Sequence, residues 1–403
     1  MASRRGRGIG CEMKGRVVKV VYQTYLPYQG RYPRISGQAK ILQENGFEVV
    51  ILACDREGTH PPQEVVEGIP VQRIPVQTGE MRGPLRQLFP LLLFWIRALK
   101  MLRTWQFDLL HCHNLDVLPL GYLVKLCTGR PVLFDAHEPD YYALWPERWR
   151  FLLSFLYALE RTLARRVDGV SVTNEYQVQK YRKAGVRHVE LIGNYPLPHL
   201  RLSELPVEKF ARETVTFGRL GTIYPAAGFE ETIAAFRQIS LSYPQVRLLL
   251  AGRVVENYQQ TFFQLIQSLQ DRVEFIGAYP AEKMPELYHR MDVSLLVYPR
   301  SPWFRHITPR KFFDSLANGV PVIMTDIGGL GKCIQAHNCG LVVNEEEIES
   351  IVQAMRRLIE DKGLRKTMAH NALHLAQTEF DWQAMARRYV TFQHRLLAQG
   401  RKA

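Results

Sequence analysis

Short apolar runs alternate with longer amphipathic segments along the 403 residues of the chain, and this alternation is what most constrains the fold. Strand, helix, strand at this rhythm predicts parallel sheets that are covered by helices on both faces. The rhythm occurs twice, on either side of a segment rich in proline and polar residues near 194–210. We therefore predict two doubly wound α/β domains. Their strands are expected at 16–22, 47–53, 107–112, 131–135, 168–173 and 188–192, and then at 214–219, 246–251, 272–276, 292–298, 320–325 and 340–343.

Chain length and the position of the linker suggest the domain limits. A chain of this length exceeds one ordinary core, and domains of about 200 residues each are expected. Residues 1–15 are basic and lack the apolar region of a secretory signal, so we expect a disordered lead-in. The Rossmann-like domains are expected at 16–198 and 199–382, with the active site in the cleft between them. The helix within 383–403 has an apolar face, which is expected to return to the first domain.

The net charge of +13 permits nucleic acid, an anionic membrane or a phosphorylated small molecule as partner. Two helical segments, 84–106 and 145–166, place arginines and lysines beside Trp, Phe and Leu. This composition is typical of helices that lie in a membrane interface, and the alternative is ordinary domain helices that pack on a sheet. No nucleic-acid recognition motif accompanies the charge, so nucleic acid is not an expected partner.

Apolar runs and cysteines bear on the compartment. No apolar run reaches the roughly 18–20 residues that a membrane span requires. The six cysteines are scattered without CxxC spacing, which fits a reducing compartment and argues against a disulfide framework or a zinc site. We predict a cytoplasmic protein that is peripheral at the inner face of the plasma membrane.

The segment 308–325, TPRKFFDSLANGVPVIMT, has the pattern of a capped helix followed by a buried strand. Thr308 is predicted as the N-cap, and Gly319 stands where a left-handed C-terminal cap belongs. Free N–H groups and the helix dipole attract an anion such as a diphosphate to this end, where Lys311 adds positive charge. Asp314 lies one turn further in and can contact ligand hydroxyls. The alternative is an ordinary α/β connection with surface charges.

Several segments together resemble the retaining glycosyltransferases of the glycosyltransferase-4 type. They are FDLLHCHNLDVLPLGYLVKLCTGRPVLFDAHE, ERTLARRVDGVSVTNEYQVQKY, PRKFFDSLANGVPVIMTDIGG and FDWQAMARRYVTFQHRLL. The resemblance covers nearly all of residues 16–398 and implies a GT-B fold. It further implies transfer of a hexosyl group from a nucleotide-diphospho-sugar, held mainly by the C-terminal domain, to a glycan or lipid-linked acceptor with retention. An essential metal or other cofactor is not implied.

The motifs of the donor site diverge from that family. Its members show two glutamates separated by seven residues, which contact the donor sugar and the ribose. Asp314 occupies the second position here, and His306 the first. The family's two diphosphate-binding cations correspond to Thr222 and Ala227 in the stretch 221–228, and neither side chain carries charge.

Other cations are expected to replace the missing pair. A departing diphosphate develops negative charge, and preorganised donors there supply a few kcal/mol. The candidates are Arg219, Arg253, Arg305, Arg310 and Lys311. The resemblance places residues 277–280 and Arg253 beside the base. The donor site is predicted to comprise Gly221, Thr222, Arg253, His306, Thr308, Lys311 and Asp314.

On the N-terminal side, His137 follows a buried strand at a family position that contacts the donor sugar. The resemblance makes His137 and Asp314 the predicted catalytic residues. Glu138 is expected to orient the imidazole or to meet an acceptor hydroxyl. In the loop after the first strand, arginines either meet an anionic acceptor or lie in solvent. The predicted acceptor side is therefore Gly30, Arg31, Arg34 and Glu138.

His111 and His113 lie on one face of a predicted strand, a spacing that suggests metal ligands. Because no carboxylate of suitable sequence spacing completes a set, we predict core or supporting histidines and no metal. Two other functions stay open on this fold. One is a catalytically weakened protein that binds a glycan, a nucleotide or a partner protein, and the other is a nucleotide-sugar epimerase.

Overall fold

A computed structural model of the chain describes residues 15–22, 33–76, 84–137, 150–269 and 271–400. These residues form an eight-stranded sheet followed by a six-stranded sheet. Apart from one hairpin, every strand pairs in parallel with its neighbours. The predicted fold class, two doubly wound parallel-sheet domains, is confirmed.

The first sheet is mostly buried on both faces, as parallel sheets are. Its strands are β1 (Arg16–Val21), β2 (Glu48–Asp55), β3 (Gln63–Val66), β4 (Ile69–Pro75), β5 (Leu109–His113), β6 (Val132–Ala136), β7 (Gly169–Val172) and β8 (Val189–Leu191). They lie in the order β3-β4-β2-β1-β5-β6-β7-β8. The antiparallel β3–β4 hairpin was not among the predicted strands, because β3 is largely exposed and two prolines interrupt the apolar pattern of β4.

Helices cover both faces of the first sheet. They are α1 (Pro33–Glu44), α2 (Pro84–Thr104), α3 (Leu118–Thr128), α4 (Arg150–Ala164) and α5 (Glu175–Lys183). Alternate residues of β1 point to opposite faces, as strand geometry requires. Val18 and Val20 pack in the core beneath α2, α3 and α4, whereas Val17 and Val21 pack in the core beneath α1.

The second sheet repeats this construction. Its strands are β9 (Thr216–Leu220), β10 (Arg247–Ala251), β11 (Val273–Ile276), β12 (Val293–Leu296), β13 (Val322–Thr325) and β14 (Gly340–Val343), in the order β11-β10-β9-β12-β13-β14. Its helices are α6 (Phe229–Ser242), α7 (Gln259–Gln267), α8 (Met284–His289), α9 (Arg310–Ala317), α10 (Leu330–His337), α11 (Ile348–Glu360) and α12 (Lys362–Thr378).

The last helix, α13 (Trp382–Gly400), packs on the first sheet rather than on the second. Its Met385, Tyr389 and Phe392 are buried in the same core as Val17. The close approach depends on Gly169 of β7, since a Cβ there would lie 2.7 Å from Cζ of Phe392. Helix α13 thus follows the second domain in the chain and packs on the first domain.

The start of α9 differs from the prediction. Pro309 takes the N-cap position with extended backbone angles, so Thr308 lies outside the helix and is not its N-cap. Gly319 has the predicted left-handed conformation, with φ of 59° and its amide donating to the Leu316 carbonyl. The apolar face of α9 packs as expected, with Phe312 and Phe313 buried. Among the helices that the structure describes, none has the length and apolarity needed to cross a bilayer.

Candidate active site

The carboxyl ends of the two sheets meet at a common cleft, where side chains of the two domains touch. Asn174 caps α5 by accepting a hydrogen bond from the Gln177 amide, and its Nδ2 donates to the carbonyl of His306 at 2.8 Å. Arg34 of the first domain and Arg310 of the second line one small cavity. In parallel sheets, ligands bind at this edge.

A pocket of about 490 Å³ opens at the carboxyl end of the second sheet. Its lining comes from the segments after β9 and β10, the segment before α8, and the first turns of α9. Ala278 and Tyr279 of the predicted base-flanking segment are part of it. The structure also brings five predicted donor-site residues together in this lining: Gly221, Thr222, Arg253, Lys311 and Asp314.

The backbone at Gly221 makes room for Lys311. Gly221 has a φ of 105°, and a Cβ added there would lie 2.3 Å from Cε of Lys311 and 3.0 Å from its Nζ. Any larger residue at 221 would have to displace the lysine. The absence of a side chain at 221 therefore allows Lys311 to lie against the backbone there, within the lining of the pocket.

Three cationic side chains line this pocket, namely Arg253, Arg310 and Lys311. Arg219, another predicted candidate, is 1% exposed and donates hydrogen bonds to the carbonyls of Val297 and Ala227. Its guanidinium also lies over an aromatic ring, so the proposal of Arg219 as a replacement cation is wrong. Arg305 is exposed and lies outside the lining, so the candidate cations that line the pocket are Arg253, Arg310 and Lys311.

Asp314 is a buried carboxyl group of the pocket. Burial raises its pKa, while the nearby charges of Arg310 and Lys311 act in the opposite direction. Arg310 precedes Asp314 by one helical turn, and its Nε lies 3.4 Å from each oxygen of the Asp314 carboxylate. The carboxyl group is thus paired with a cation within the lining of the pocket.

His306 and Thr308 lie apart from these residues and are not in the pocket lining. The imidazole of His306 stacks on the ring of Tyr176 from the first domain, with centroids 3.7 Å apart and planes 4° from parallel. The methyl group of Thr308 packs beside Gly328. The segment before α9 therefore turns toward the first domain and places His306 and Thr308 outside the lining of this pocket.

A buried polar cluster lies at the carboxyl end of the first sheet. Lys19 of β1 has no exposed surface, and its Nζ lies 3.0 Å from Gln38 Oε1 and 3.2 Å from the Tyr389 hydroxyl. The same Nζ lies 2.9 Å from His111 Nδ1 and 3.3 Å from His113 Nε2. Because burial removes hydration from the amine, the pKa of Lys19 is held well below its usual range.

Asp135 supplies the negative charge of this cluster. Arg34 forms a bidentate salt bridge with it, with Nε–Oδ2 at 2.9 Å and Nη2–Oδ1 at 2.5 Å, and Ser171 donates to Oδ1 at 2.7 Å. Burial raises the pKa of Asp135. The charge of Arg34 and the hydrogen bonds of His113 and His137 outweigh burial and hold that pKa well below its usual range.

Arg34 therefore differs from both predicted roles. Its side chain is 8% exposed and also donates to the Ile192 carbonyl and to Asn194 Oδ1. It is neither a solvated charge nor a group free to meet an acceptor, since α1 turns it inward over Asp135. The remaining acceptor-side predictions lie outside the described residues: Gly30, Arg31 and Glu138.

His137 lies where β6 ends, beside the contact between the domains. Its Nε2 is 2.8 Å from His113 Nδ1 and 3.3 Å from Asp135 Oδ2, and its side chain is 19% exposed. Its carbonyl accepts from Thr173 Oγ1, next to the residue that bonds the second domain. Burial lowers the pKa of His137 despite Asp135, so the neutral imidazole is favoured.

A metal ion is the obvious alternative occupant of the cluster. His111, His113 and Asp135 each offer one ligand atom, all within 4.8 Å of one another. The carboxylate that sequence spacing did not reveal is thus present. However, the Lys19 amine already contacts one nitrogen of each ring, and Arg34 engages both carboxylate oxygens. The residues present therefore fit an internal cation better than a divalent metal.

Lys19 and Asp135 are the residues of this region that the sequence reading missed. Each is a single charged residue within an otherwise apolar buried strand, VVKVV and VLFDA. A charge in such a strand is costly unless it is paired. That cost is a signal that could have indicated a buried ion-pair network at this edge.

Comparison with known proteins agrees with this construction. The Glycosyl transferase 4-like domain family matches residues 30–194, and the Glycosyl transferases group 1 family matches residues 205–374. Glycogen synthase of Mycobacterium tuberculosis is 23% identical over 370 residues, which cover 85% of each chain. The capsular polysaccharide biosynthesis glycosyltransferase CapM of Staphylococcus aureus is 24% identical over 387 residues, 89% of this chain and 94% of CapM.

Solved structures share the fold over nearly the full length. Sucrose-phosphate synthase from Thermosynechococcus elongatus superposes with a TM-score of 0.77 at 19% identity, covering 96% of this chain and all of that one. HepE from Anabaena, solved with UDP and glucose, superposes with a TM-score of 0.70 at 19% identity, covering 94% of this chain and 99% of HepE. The chain belongs to the GT-B glycosyltransferases, enzymes with a glycosyl transferase 4-like domain followed by a group 1 domain.

Proposed function

We propose that this enzyme transfers a hexosyl group from a nucleotide-diphospho-sugar to a glycan or lipid-linked acceptor, with retention at the anomeric carbon. The observation that carries the proposal is the pocket in which Gly221, Lys311 and Asp314 converge at the carboxyl end of the second sheet. A diphosphate requires cations and a ribose or hexose requires hydroxyl acceptors. The pocket presents both within one helical turn.

The diphosphate is assigned to the cations of the pocket. Lys311 stands in the first turn of α9, where the helix dipole adds to its charge. Arg253 and Arg310 line the same space. As the nucleoside diphosphate departs it gains negative charge, and preorganised cations in a partly buried site stabilise that charge. In this proposal these side chains take the place of a metal ion.

The two predicted catalytic residues have different roles. Asp314 holds a hydroxyl of the donor, because its buried carboxyl group faces the pocket beside Lys311. His137 acts from the opposite domain, on an oxygen of the donor sugar. The contacts of its Nε2 with Asp135 and His113 hold the imidazole ring at the cleft.

Two relatives support this class of reaction. CapM is named for capsular polysaccharide biosynthesis, and HepE was solved with UDP and glucose. Both are similar to this chain over most of its length. A surface polysaccharide or glycolipid is therefore the proposed product class, and a uridine or guanosine diphosphate sugar is the first donor to test.

We further propose that the enzyme works at an anionic membrane surface on the cytoplasmic side. Helix α2 packs against α3 and α3 against α4, and their outer surfaces expose large apolar side chains. We name this surface the α2–α4 patch. It comprises Leu88, Phe89, Leu92 and Ile96 of α2, Leu123 and Leu126 of α3, and Phe155 of α4.

Basic side chains beside the α2–α4 patch favour an anionic membrane as its partner. Arg97, Lys100 and Arg103 are exposed on the same helix as its apolar residues. A helix that lies in a membrane interface typically carries both kinds of side chain. Its apolar side chains enter the boundary of the acyl chains, and its cations contact the lipid headgroups. The inner face of α2 packs in the domain core through Phe94 and Leu102. In this proposal one face of the helix therefore stabilises the fold and the other binds the membrane.

Activity is tested with labelled UDP-, GDP- and ADP-hexoses in the presence and absence of anionic membranes. We expect donor consumption with one base, at least tenfold slower in Asp314→Ala and in His137→Ala. Lys366→Ala, an exposed lysine on α12, serves as the matched control and should retain wild-type rate. Absence of turnover with every donor, in protein that binds the nucleotide, would contradict the transferase proposal.

That last outcome would favour the second candidate, a GT-B protein that binds a glycan, nucleotide or partner without efficient turnover. One observation favours it: position 306 is a histidine that stacks on Tyr176 instead of a carboxylate in the pocket. Nucleotide binding without turnover separates the two candidates.

A further inference from the structure

A continuous chain of nitrogen atoms runs from the buried Lys19 to His137. Lys19 Nζ lies 3.3 Å from Nε2 of His113, and the other nitrogen of that ring, Nδ1, lies 2.8 Å from Nε2 of His137. The second nitrogen of His137, Nδ1, makes no hydrogen bond with any residue that the structure describes. The ring itself is 19% exposed at the cleft.

One proton lies between the two imidazoles. Both rings are neutral, since the full burial of His113 and the partial burial of His137 lower the pKa of each imidazole. A neutral ring has one N–H and one bare nitrogen, and two nitrogens at 2.8 Å bond only when a single proton lies between them. Either His113 donates from Nδ1 or His137 donates from Nε2. The first case leaves the proton of His137 on Nδ1, and the second leaves Nδ1 bare.

Asp135 does not decide between these two cases. Its Oδ2 lies 3.2 Å from His113 Nδ1 and 3.3 Å from His137 Nε2. The carboxylate therefore favours a proton in the space between the rings without favouring either ring. The choice must come from the other end of the chain, at His113 Nε2.

Lys19 is a donor at that end. The amide nitrogen of Gln38 donates to Asp135, which turns its Oε1 toward Lys19 as an acceptor. The negative charge of Asp135 favours the ammonium form of Lys19, and an ammonium has three hydrogens to donate and no lone pair with which to accept. A donor facing His113 Nε2 requires that nitrogen to be bare. The proton of His113 is then on Nδ1, where it points at His137.

We propose that Lys19, acting through His113, fixes His137 as the Nδ1–H tautomer, so that His137 presents a hydrogen-bond donor to the cleft. Lys19 and His113 are positioning residues in this arrangement. Resting on the proposed function, the consequence is that His137 donates to a hydroxyl or phosphate oxygen of the donor substrate and does not accept a proton at Nδ1. The tautomer itself depends only on the contacts above.

The test is a two-bond proton–nitrogen correlation spectrum of protein labelled with 15N-histidine, without added ligand. The His137 signals are identified by their loss in His137→Gln. We expect wild type at pH 7 to show the pattern of a ring protonated on Nδ1. In Lys19→Met, of similar length but without a donor, both His137 nitrogens should shift toward the average of the two tautomers.

Lys209→Met is the matched control, because Lys209 is also a buried lysine but belongs to the second domain. The His137 signals of Lys209→Met should match those of wild type. A wild-type spectrum with the proton on Nε2 of His137 overturns the proposal, and so does an unshifted His137 in folded Lys19→Met. The wild-type spectrum decides even if Lys19→Met does not fold. Since no nucleotide is present, the result is separate from the success or failure of the donor-site proposal.

Discussion

Lys311 lies directly over Gly221, so closely that a Cβ on the glycine would lie 2.3 Å from Cε of the lysine. The two residues come from α9 and from the end of β9, which are far apart in the chain. Their contact places a cation in the lining of the pocket and leaves no space for a side chain at 221. The donor-site proposal depends on this pair more than on any other.

Gly221→Ala should therefore weaken nucleotide binding by about tenfold, equivalent to about 1.4 kcal/mol, because the new methyl group displaces Lys311. Calorimetric titration with the preferred nucleoside diphosphate measures the effect. Gly46→Ala is the control, since Gly46 also has a positive φ of 83° but has open space around its Cβ position. The control should lose some stability from backbone strain and keep its nucleotide affinity. Equal affinity in both variants would contradict the positioning role of Gly221.

His306→Ala should leave nucleotide affinity within about twofold of wild type, because the ring stacks on Tyr176 and not on the pocket lining. The same titration measures it, with Lys311→Ala as the variant that does respond. A loss of tenfold or more in His306→Ala would return this histidine to the donor site and contradict the assignment made from the structure.

The stability of the protein should fall as the pH decreases from 7 to 5.5. Burial, with the nearby Lys19 charge, holds the pKa of His111 and of His113 well below 6.5. The unfolded chain takes up protons near pH 6.5 that the folded chain does not, so this stability is present above about 6.5 and lost below it. Each group contributes up to about 1.4 kcal/mol per pH unit to the slope.

Urea unfolding at several pH values in that window measures the slope. His113→Gln should reduce the slope of unfolding free energy against pH by the contribution of one histidine. His370→Gln changes an exposed histidine on α12 and should leave the slope unchanged. Asp135 does not interfere, because its lowered pKa makes its contribution disappear only below about pH 4. A free energy of unfolding that is constant from pH 7 to 5.5 would contradict the buried neutral state of these rings.

Phe89→Ser combined with Leu92→Ser should reduce binding to vesicles that contain anionic lipid by at least tenfold. Both side chains are exposed on the α2–α4 patch, and each apolar group transferred from water contributes about 1.5–3 kcal/mol. Cosedimentation with phosphatidylcholine vesicles, with and without phosphatidylserine, measures it. Leu241→Ser is the control, as Leu241 is 83% exposed on α6 of the other domain. Equal sedimentation of the patch variant and wild type would contradict the membrane proposal.

Much of the fold could be predicted because local patterns determine it. Apolar runs gave twelve of the strands, and Phe312, Phe313 and Gly319 gave the face and the end of α9. The β3–β4 hairpin was missed because it is an exposed edge, where the apolar pattern is weak. Local signals thus predicted the elements whose faces are buried.

The site was less predictable, because its contacts join distant parts of the chain. Asp135 meets Arg34 across 101 residues, and His306 meets Asn174 across 132. Sequence spacing reveals helix and strand neighbours, and it does not reveal which strands lie side by side in the sheet. For this reason the sequence did not reveal that Arg34 pairs with Asp135 or that His306 stacks on Tyr176.

The central claim is that the pocket at Gly221 and Lys311 binds the diphosphate of a nucleotide. Calorimetry with UDP, GDP and ADP, each compared with its parent nucleoside, measures the contribution of the phosphates alone. For the preferred base we predict that the diphosphate binds wild type at least tenfold more tightly than the nucleoside, and that Lys311→Ala loses most of this difference. Equal diphosphate and nucleoside affinity in wild type, or an undiminished difference in Lys311→Ala, would contradict the account.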